Sequence, residues 1–167
     1  MPLKNLKASK GGPIFAAIDE GDASAVSGIL AADRAVLSSR NGDGWTPLIA
    51  ASYAGEAAIV QLAISYGADV SSVCKDKDSA VHYAAAQGHG DIIELLAAAG
   101  APLDAEDDDG ETPKDVAKGK KIASLIQRLI DAREAGADDK DGEDDEIEEE
   151  ELDEEGGGAG GGAAASQ

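Results

Sequence analysis

Aromatic residues and cysteine are scarce in this sequence of 167 residues. Aromatic side chains make up 3% of the composition, whereas Ala and Gly are abundant, which favours helices in close contact over a β-sandwich. The one cysteine, Cys74, cannot form an intrachain disulfide, so we expect a reducing compartment. No apolar stretch approaches the roughly 18 residues of a membrane-spanning helix, and no apolar core follows the N-terminal lysines as in a secretion signal. We therefore predict a protein of the cytoplasm or the nucleus.

Basic residues are also few. The sequence contains 14 Lys and Arg residues and 34 Asp and Glu residues, which gives a net charge of −20. A chain so acidic is not expected to bind nucleic acid directly or an anionic membrane, because both are polyanions, and a basic protein partner is favoured instead. Residues 138–155 alone hold 14 carboxylates and one lysine. Such a run repels itself and buries too little apolar surface to fold, so we predict that it is disordered.

Shifts in composition divide the chain into four segments. We predict a flexible basic arm over residues 1–12 and a folded domain over residues 13–137. A disordered acidic tail follows over residues 138–155, and a low-complexity tail of Gly and Ala occupies residues 156–167.

Within the folded domain one pattern recurs after 33 residues. The segment TPLIAASYAGEAAIVQLAISYGADV, which starts at Thr46, returns as SAVHYAAAQGHGDIIELLAAAGAPL from Ser79. A further step of 33 reaches Thr112, Ala117, Leu125 and Ile126, and IFAAIDEGDASAVSGIL fits upstream at an offset of 34. The pattern predicts four units, about residues 13–40, 41–73, 74–106 and 107–137. Four units exceed the roughly three that a stable stack of repeats needs.

Each unit is predicted to contain two helices. Thr46 can cap the first helix, and Pro47 then occupies the first helical position, where its missing N–H costs nothing. Gly55 breaks the chain before a second helix, and Gly67 ends that helix in the left-handed conformation. The second helix is expected to direct four aliphatic side chains toward the stack: Ile59, Val60, Leu62 and Ile64. The sequence NGDG, residues 41–44, is typical of the tight turn of a projecting hairpin.

This pattern resembles the ankyrin repeat. The family's T-P-L-H-x-A motif, followed by a glycine and an aliphatic helix, is matched by TPLIAASYAGEAAIV and SAVHYAAAQGHGDII. The resemblance covers about residues 13–134 and implies an all-α repeat solenoid of about four stacked helix-turn-helix units with short hairpin loops. The last unit departs from the motif, because Lys114 stands where a core leucine is expected and Lys121 replaces the glycine between the helices.

The resemblance also implies where a partner would bind. Ankyrin arrays bind on the concave surface, which the hairpin tips and the exposed positions of the inner helices form. The candidate partner-binding residues are Asp43, Trp45, Tyr53, Lys75, Asp76, Asp78, Gln87, Asp108, Asp109 and Glu111. Trp45 and Tyr53 are the candidate anchors, because large amphipathic aromatic residues dominate interface hot spots. The alternative for Trp45 is that it only packs on its own hairpin.

A metal site at Cys74, His82 and His89 would be the basis of an enzymatic function. Their spacing fits no standard pair of zinc ligands. The resemblance instead implies that both histidines make structural hydrogen bonds between units. The sequence contains no nucleophile elbow, phosphate-binding loop or paired catalytic carboxylates. We therefore predict no catalytic residues, no metal and no cofactor.

The sequence thus predicts a monomeric, non-enzymatic module that binds a protein on its concave face. A basic client such as a ribosomal protein or a histone is favoured, with the acidic tail assisting, because the layout looks similar to that of ankyrin proteins that escort basic ribosomal proteins. The alternative is a neutral scaffold or regulatory subunit whose tail only adds solubility. The third hypothesis is the metal-dependent activity described above.

Overall fold

The computed structural model describes residues 12–136. The basic arm as far as residue 11, the acidic tail and the Gly/Ala tail lie outside these residues. The helices of the described region are α1 Pro13–Glu20, α2 Ala23–Ala32, a 3₁₀ helix Arg34–Ser38, α3 Pro47–Ala54, α4 Ala57–Ser65, α5 Ala80–Gln87, α6 Gly90–Ala98 and α7 Lys120–Gly136.

The prediction of an all-α repeat solenoid is confirmed over these residues. In the described range, the β-type pairing is limited to one isolated bridge between Val73 and Ser79. One compact unit extends as far as Ile130. A second begins at Asp131, and its described residues are the final residues of α7.

The helices of the compact unit form two layers. The inner helices α1, α3 and α5 pack side by side in chain order, and the outer helices α2, α4 and α6 pack in the same order behind them. Each inner helix also packs against the outer helix that follows it, so three helix pairs lie in succession. The hairpin turns that precede α3 and α5 therefore share one edge of the stack.

Side-chain caps fix where two of the inner helices begin. The Thr46 hydroxyl accepts a hydrogen bond from the N–H of Ile49 at 3.3 Å, and Pro47 follows as the first helical residue. At the same position of the next unit, the Ser79 hydroxyl accepts a hydrogen bond from the N–H of His82 at 3.4 Å. Both caps satisfy an amide that the helix itself leaves without a partner, as the sequence predicted for Thr46.

Glycines in the left-handed conformation end the inner helices. Gly21, Gly55 and Gly88 have φ angles of 71°, 83° and 86°. At Gly55 the lack of a side chain is also needed for space, because a Cβ atom there would lie 2.6 Å from Cε1 of His89. The chain reverses at each of these joints, and the outer helix begins within two residues.

The outer helices bury one narrow stripe of side chains. In α4 this stripe is Ile59, Val60 and Ala63, each at most 2% exposed. Leu62 and Ile64, which were also predicted to face the stack, are only partly buried, and of the two Ile64 packs against the core. At about 100° per residue, positions i, i+1 and i+4 share a face, whereas Leu62 and Ile64 lie toward its margins. The equivalent stripe in α6 is Ile92, Ile93 and Leu96, all fully buried.

The fourth unit has the expected outer helix but lacks a first helix. After Thr112 the chain makes a single turn, in which the Val116 N–H donates to the Thr112 carbonyl at 3.2 Å. Gly119 adopts φ 88°, two residues before the position where the other units carry their joint glycine, and the helix α7 already includes Lys121. Lysine does not readily take the left-handed conformation, so the break moves to Gly119 and the first helix is cut short.

Within the described residues, no helix is both long and apolar enough to cross a lipid bilayer.

Substitution at the joint glycine tests this architecture. We expect Gly55→Ala to lower the free energy of unfolding by about 1–3 kcal/mol, because alanine is strained at this φ and its Cβ meets the His89 ring. Gly28→Ala is the matched control: Gly28 lies exposed within α2 with no atom near its added Cβ, and this change should stabilise by about 0.5–1 kcal/mol. Urea unfolding followed by circular dichroism measures both, and equal effects at the two sites would contradict the joint described here.

Candidate functional site

Three aromatic side chains from two neighbouring units form a cluster. Trp45 precedes the cap of α3, Tyr53 lies in the last turn of α3, and Tyr83 lies in the first half of α5. The ring centroids of Trp45 and Tyr83 are 4.8 Å apart, those of Trp45 and Tyr53 5.2 Å, and those of Tyr53 and Tyr83 5.9 Å. All three side chains remain partly exposed. We call this group the aromatic cluster.

The aromatic cluster contains both predicted anchors and one residue that the sequence analysis missed. Trp45 and Tyr83 also pack against the buried core while they remain partly exposed, and the anchor role of Trp45 stays a prediction. Tyr83 occupies the variable x position of the T-P-L-H-x-A motif, where the preceding unit carries Ala50. An aromatic residue at a variable position was the signal that could have identified it.

The hydroxyl of Tyr83 joins the aromatic cluster to the hairpin turn of its own unit. It lies 3.5 Å from the sulfur of Cys74. Burial, the Cys74 thiol and the charge of Asp78 raise the pKa of Tyr83 far above its ordinary value, whereas the Trp45 indole acts in the opposite direction. Tyr83 is therefore neutral at physiological pH and available as a hydrogen-bond donor.

Asp78 is the carboxylate that faces this hydroxyl. Burial raises its pKa, and repulsion from Asp107 and Asp76 adds to the increase. His82 and the hydrogen bond with Tyr83 oppose the increase without cancelling it. The surroundings of Asp78 within the chain therefore destabilise the ionised form of its carboxyl group.

Three hairpin turns at the same edge of the stack repeat one geometry. Turn 1 is Asn41–Gly44, turn 2 is Cys74–Lys77 and turn 3 is Asp107–Gly110, at intervals of 33 residues. The first side chain of each turn accepts a hydrogen bond from the backbone N–H two residues later. These bonds are 2.9 Å in turn 1, 3.4 Å to the sulfur in turn 2 and 2.8 Å in turn 3.

Of the three turns, turn 2 has the weakest side-chain hydrogen bond. Sulfur is a weak acceptor, so Cys74 holds its turn less well than Asn41 or Asp107 hold theirs. The fourth residue of each turn is left-handed, and it is a glycine in turns 1 and 3. In turn 2 it is Lys77, with φ 67°, and this is the one non-glycine residue with positive φ in the described part of the chain.

The basic side chains near the turns are used to connect one turn with the next. Lys75 donates to the carbonyl of Gly42 at 2.9 Å, and Arg40, which precedes turn 1, donates to the carbonyl of Val73, which precedes turn 2, at 2.5 Å. Lys77 forms an ion pair with Asp108 at 3.1 Å. Within residues 12–136, Asp108 is the one carboxylate of the three turns that is paired with a lysine or arginine at this distance.

The predicted partner-binding residues divide into two groups by position. Nine of them lie in or beside the turns and the aromatic cluster: Asp43, Trp45, Tyr53, Lys75, Asp76, Asp78, Asp108, Asp109 and Glu111. Gln87 is the last residue of α5, at the opposite end of that helix from turn 2, and is partly buried. The structure therefore gathers most of the candidates around the turns and the aromatic cluster but does not bring Gln87 to the turns.

The residues of the hypothetical metal site have separate structural surroundings. His82 is 1% exposed, and its Nδ1 accepts a hydrogen bond from the N–H of Ser79 at 3.2 Å. Its Nε2 lies 3.1 Å from the carbonyl of Glu111; because a carbonyl only accepts, Nε2 carries the proton and donates. The ring of His89 lies instead against Gly55, beyond the other end of α5.

Two other groups have potential ligand atoms within 4.8 Å of one another. One comprises Cys74, Asp76 and Asp78, and the other Asp78, His82 and Asp107. These are the described residues that could hold a cation. However, both ring nitrogens of His82 are already engaged, and the sulfur of Cys74 accepts the amide of Asp76. We assign no metal to either group.

Comparison with known protein families matches residues 14–107 to three copies of the ankyrin repeat. The chain belongs to the ankyrin-repeat family. The match covers the three helix pairs and turns 1 and 2, and the paired inner and outer helices are the architecture that the sequence pattern implied.

Several curated proteins resemble the ankyrin region of this chain. It is 31% identical over 99 residues to protein phosphatase 1 regulatory subunit 27 of Mus musculus. The aligned region covers 59% of this chain and 64% of that protein. It is 42% identical over 59 residues to the palmitoyltransferase ZDHHC17 of Danio rerio, which covers 35% of this chain and 10% of that protein. With the NAD-capped RNA hydrolase NUDT12 of Homo sapiens it shares 36% identity over 80 residues, 48% of this chain and 17% of that protein.

The chain thus spans 64% or less of the length of each of these relatives. The similarity to the two enzymes lies within the ankyrin region. Ankyrin repeats imply a protein-interaction module, and the similarity to a regulatory subunit agrees with that class.

The left-handed backbone of Lys77 predicts which of two substitutions at this position is the more stable. We expect Lys77→Gly to be more stable than Lys77→Ala by about 1 kcal/mol, because glycine removes the left-handed strain that alanine keeps. Both variants lose the exposed ion pair with Asp108, so their comparison cancels that contribution. Thermal and urea unfolding measure the difference, and an alanine variant at least as stable as the glycine variant would refute the strain.

The charge of Asp78 predicts a gain in stability when it is removed. Because the pKa of Asp78 is raised in the folded chain, its ionised form destabilises the fold at neutral pH. We expect Asp78→Asn to raise the melting temperature at pH 7. The gain should shrink as the pH falls through the raised pKa and vanish below the ordinary value of 3.8, where Asp78 is protonated in both states. A melting temperature at pH 7 lower than that of the parent chain would contradict this account.

Proposed function

We propose that this ankyrin-repeat chain is a non-enzymatic interaction module that binds a basic protein along the edge of turns 1 to 3. The observation that carries the proposal is the arrangement of charge on those turns. The basic side chains make contacts between neighbouring units: Lys75 with Gly42, Lys77 with Asp108, and Arg40 with the carbonyl of Val73. Carboxylates such as Asp43, Asp76 and Asp109 are exposed. The surface left for a partner is therefore acidic, with the aromatic cluster beside it.

The acidic tail supports a basic client. Residues 138–155 carry a net charge of −13. A polyanion joined to the same chain as an acidic surface would raise the effective concentration of that charge around a bound client. A ribosomal protein or a histone has the required chemistry. In this proposal the chain acts as a monomeric escort in the cytoplasm or the nucleus.

A second candidate is a neutral scaffold or regulatory subunit. The similarity to protein phosphatase 1 regulatory subunit 27, at 31% identity over 99 residues, favours it. In this case the partner would bind the ankyrin surface through complementary shape, and the acidic tail would only add solubility. The two candidates differ in how far binding depends on charge.

Salt dependence separates the two candidates. For a basic client, such as a purified core histone or ribosomal proteins, we expect affinity to fall about tenfold or more between roughly 0.01 M and 0.15 M salt. Over this range the Debye length shortens from about 30 Å to about 8 Å. Isothermal titration calorimetry at several salt concentrations measures the effect. Absence of binding to these proteins at low salt, together with a salt-independent partner recovered from cells, would favour the scaffold.

Deletion of residues 138–167 tests the part played by the tail. Affinity for the basic client should fall, because the tail contributes charge at high effective concentration. The double variant Trp45→Ala, Tyr53→Ala keeps the tail and alters the concave surface, so it serves as the complementary control. Unchanged affinity after the deletion would reject the escort function.

A further inference from the structure

The aromatic cluster has no space between its rings. Its members are in mutual contact, with interplanar angles of 52° to 83° and centroid distances below 6 Å. A ligand can therefore only lie across the exposed outer surface of the rings. Tilted rings expose both faces and edges, and the face of an aromatic ring attracts cations.

One carboxylate stands at the margin of this surface. Asp78 is partly buried, and its carboxylate lies within 4.8 Å of the Cys74 sulfur, which in turn lies 3.5 Å from the Tyr83 hydroxyl. Asp76 and Asp107 repel this carboxylate. The nearby lysines contact other groups, Lys75 the carbonyl of Gly42 and Lys77 the carboxylate of Asp108. Within residues 12–136, Asp78 forms no ion pair with a lysine or arginine. A cation supplied by a partner would offset the repulsion that Asp78 experiences.

We propose that the aromatic cluster and Asp78 form a subsite for one arginine side chain of the bound protein. The guanidinium group lies across the exposed rings of Trp45, Tyr53 and Tyr83 and donates hydrogen bonds to the Asp78 carboxylate. This proposal rests on the proposed function, because it assigns one residue type of the basic partner to one place on the acidic surface.

The chemistry of the subsite selects arginine over lysine. A guanidinium group is planar, stacks on aromatic faces and directs several N–H donors along its edge, so it can contact rings and a carboxylate together. It is also more weakly hydrated than an ammonium group, which lowers the cost of placing it beside a partly buried carboxylate. A lysine ammonium carries the same charge but is compact and strongly hydrated.

The test uses the full chain and its single tryptophan, Trp45, as the reporter. The probes are the synthetic peptides GRGRGRGRG and GKGKGKGKG, which have equal length and charge, and tryptophan fluorescence is followed during titration at low salt. We expect the arginine peptide to bind about fivefold more tightly than the lysine peptide, a ratio in the range of an exposed cation–π contact supported by a carboxylate.

Two variants, each of which removes one negative charge, test whether Asp78 causes the preference for the arginine peptide. Asp78→Asn should bring the ratio of the two affinities close to one. Asp109→Asn removes the same charge from an exposed position in turn 3 and should lower both affinities while it preserves the ratio. Circular dichroism confirms that both variants are folded.

The possible outcomes separate this proposal from the proposed function. Equal binding of the two peptides by the parent chain, or an unchanged ratio in Asp78→Asn, would overturn the arginine subsite and leave a general basic partner in place. If the chain binds neither peptide nor a core histone at low salt, both the subsite and the basic-partner proposal are rejected.

Discussion

The stack depends on close contact at the glycine joints between paired helices. Each joint glycine is left-handed, and a side chain from the following unit lies next to it: Glu56 beside Gly21, His89 beside Gly55 and Lys118 beside Gly88. A Cβ atom at these positions would meet that side chain at 2.6 to 3.3 Å. The glycine thus serves two requirements at once, reversal of the chain and close approach of the next unit. Since the inner helices are held side by side at these joints, residues 33 apart in sequence become neighbours in space.

The candidate site follows from this repetition. The three turns repeat one backbone geometry at intervals of 33 residues, so each unit places its variable side chains beside those of the next. Trp45 and Tyr53 come from one unit and Tyr83 from the following one, and the rings meet because α3 and α5 are adjacent. Turn 2 keeps the shared geometry with a left-handed lysine and a sulfur acceptor. Turn 2, the turn with the least favourable backbone conformation and hydrogen bond, therefore lies directly beside the aromatic cluster and Asp78.

Charge has two separate uses on this surface. The cations near the turns link neighbouring units, either through backbone carbonyls or, in the case of Lys77, through Asp108. These contacts are exposed and individually weak, so their contribution is to the relative position of the turns more than to stability. The carboxylates outside these contacts make the surface acidic. Membership of the ankyrin family gives the class of function, a protein-interaction module, and the arrangement of charge is the basis of our proposal that the partner is basic.

The repeat, its period and the residues that begin and end the helices of the central units could be predicted from the amino-acid sequence. Caps such as Thr46 and glycines such as Gly55 act over a few residues, so their effect can be predicted locally. The sequence also identified Trp45, Tyr53 and Asp78 as surface candidates. The place of Tyr83 in the aromatic cluster and the separation of Gln87 from the turns emerged only from the folded chain. These facts depend on how one unit is placed against the next, and that placement is set by side-chain packing between residues distant in sequence.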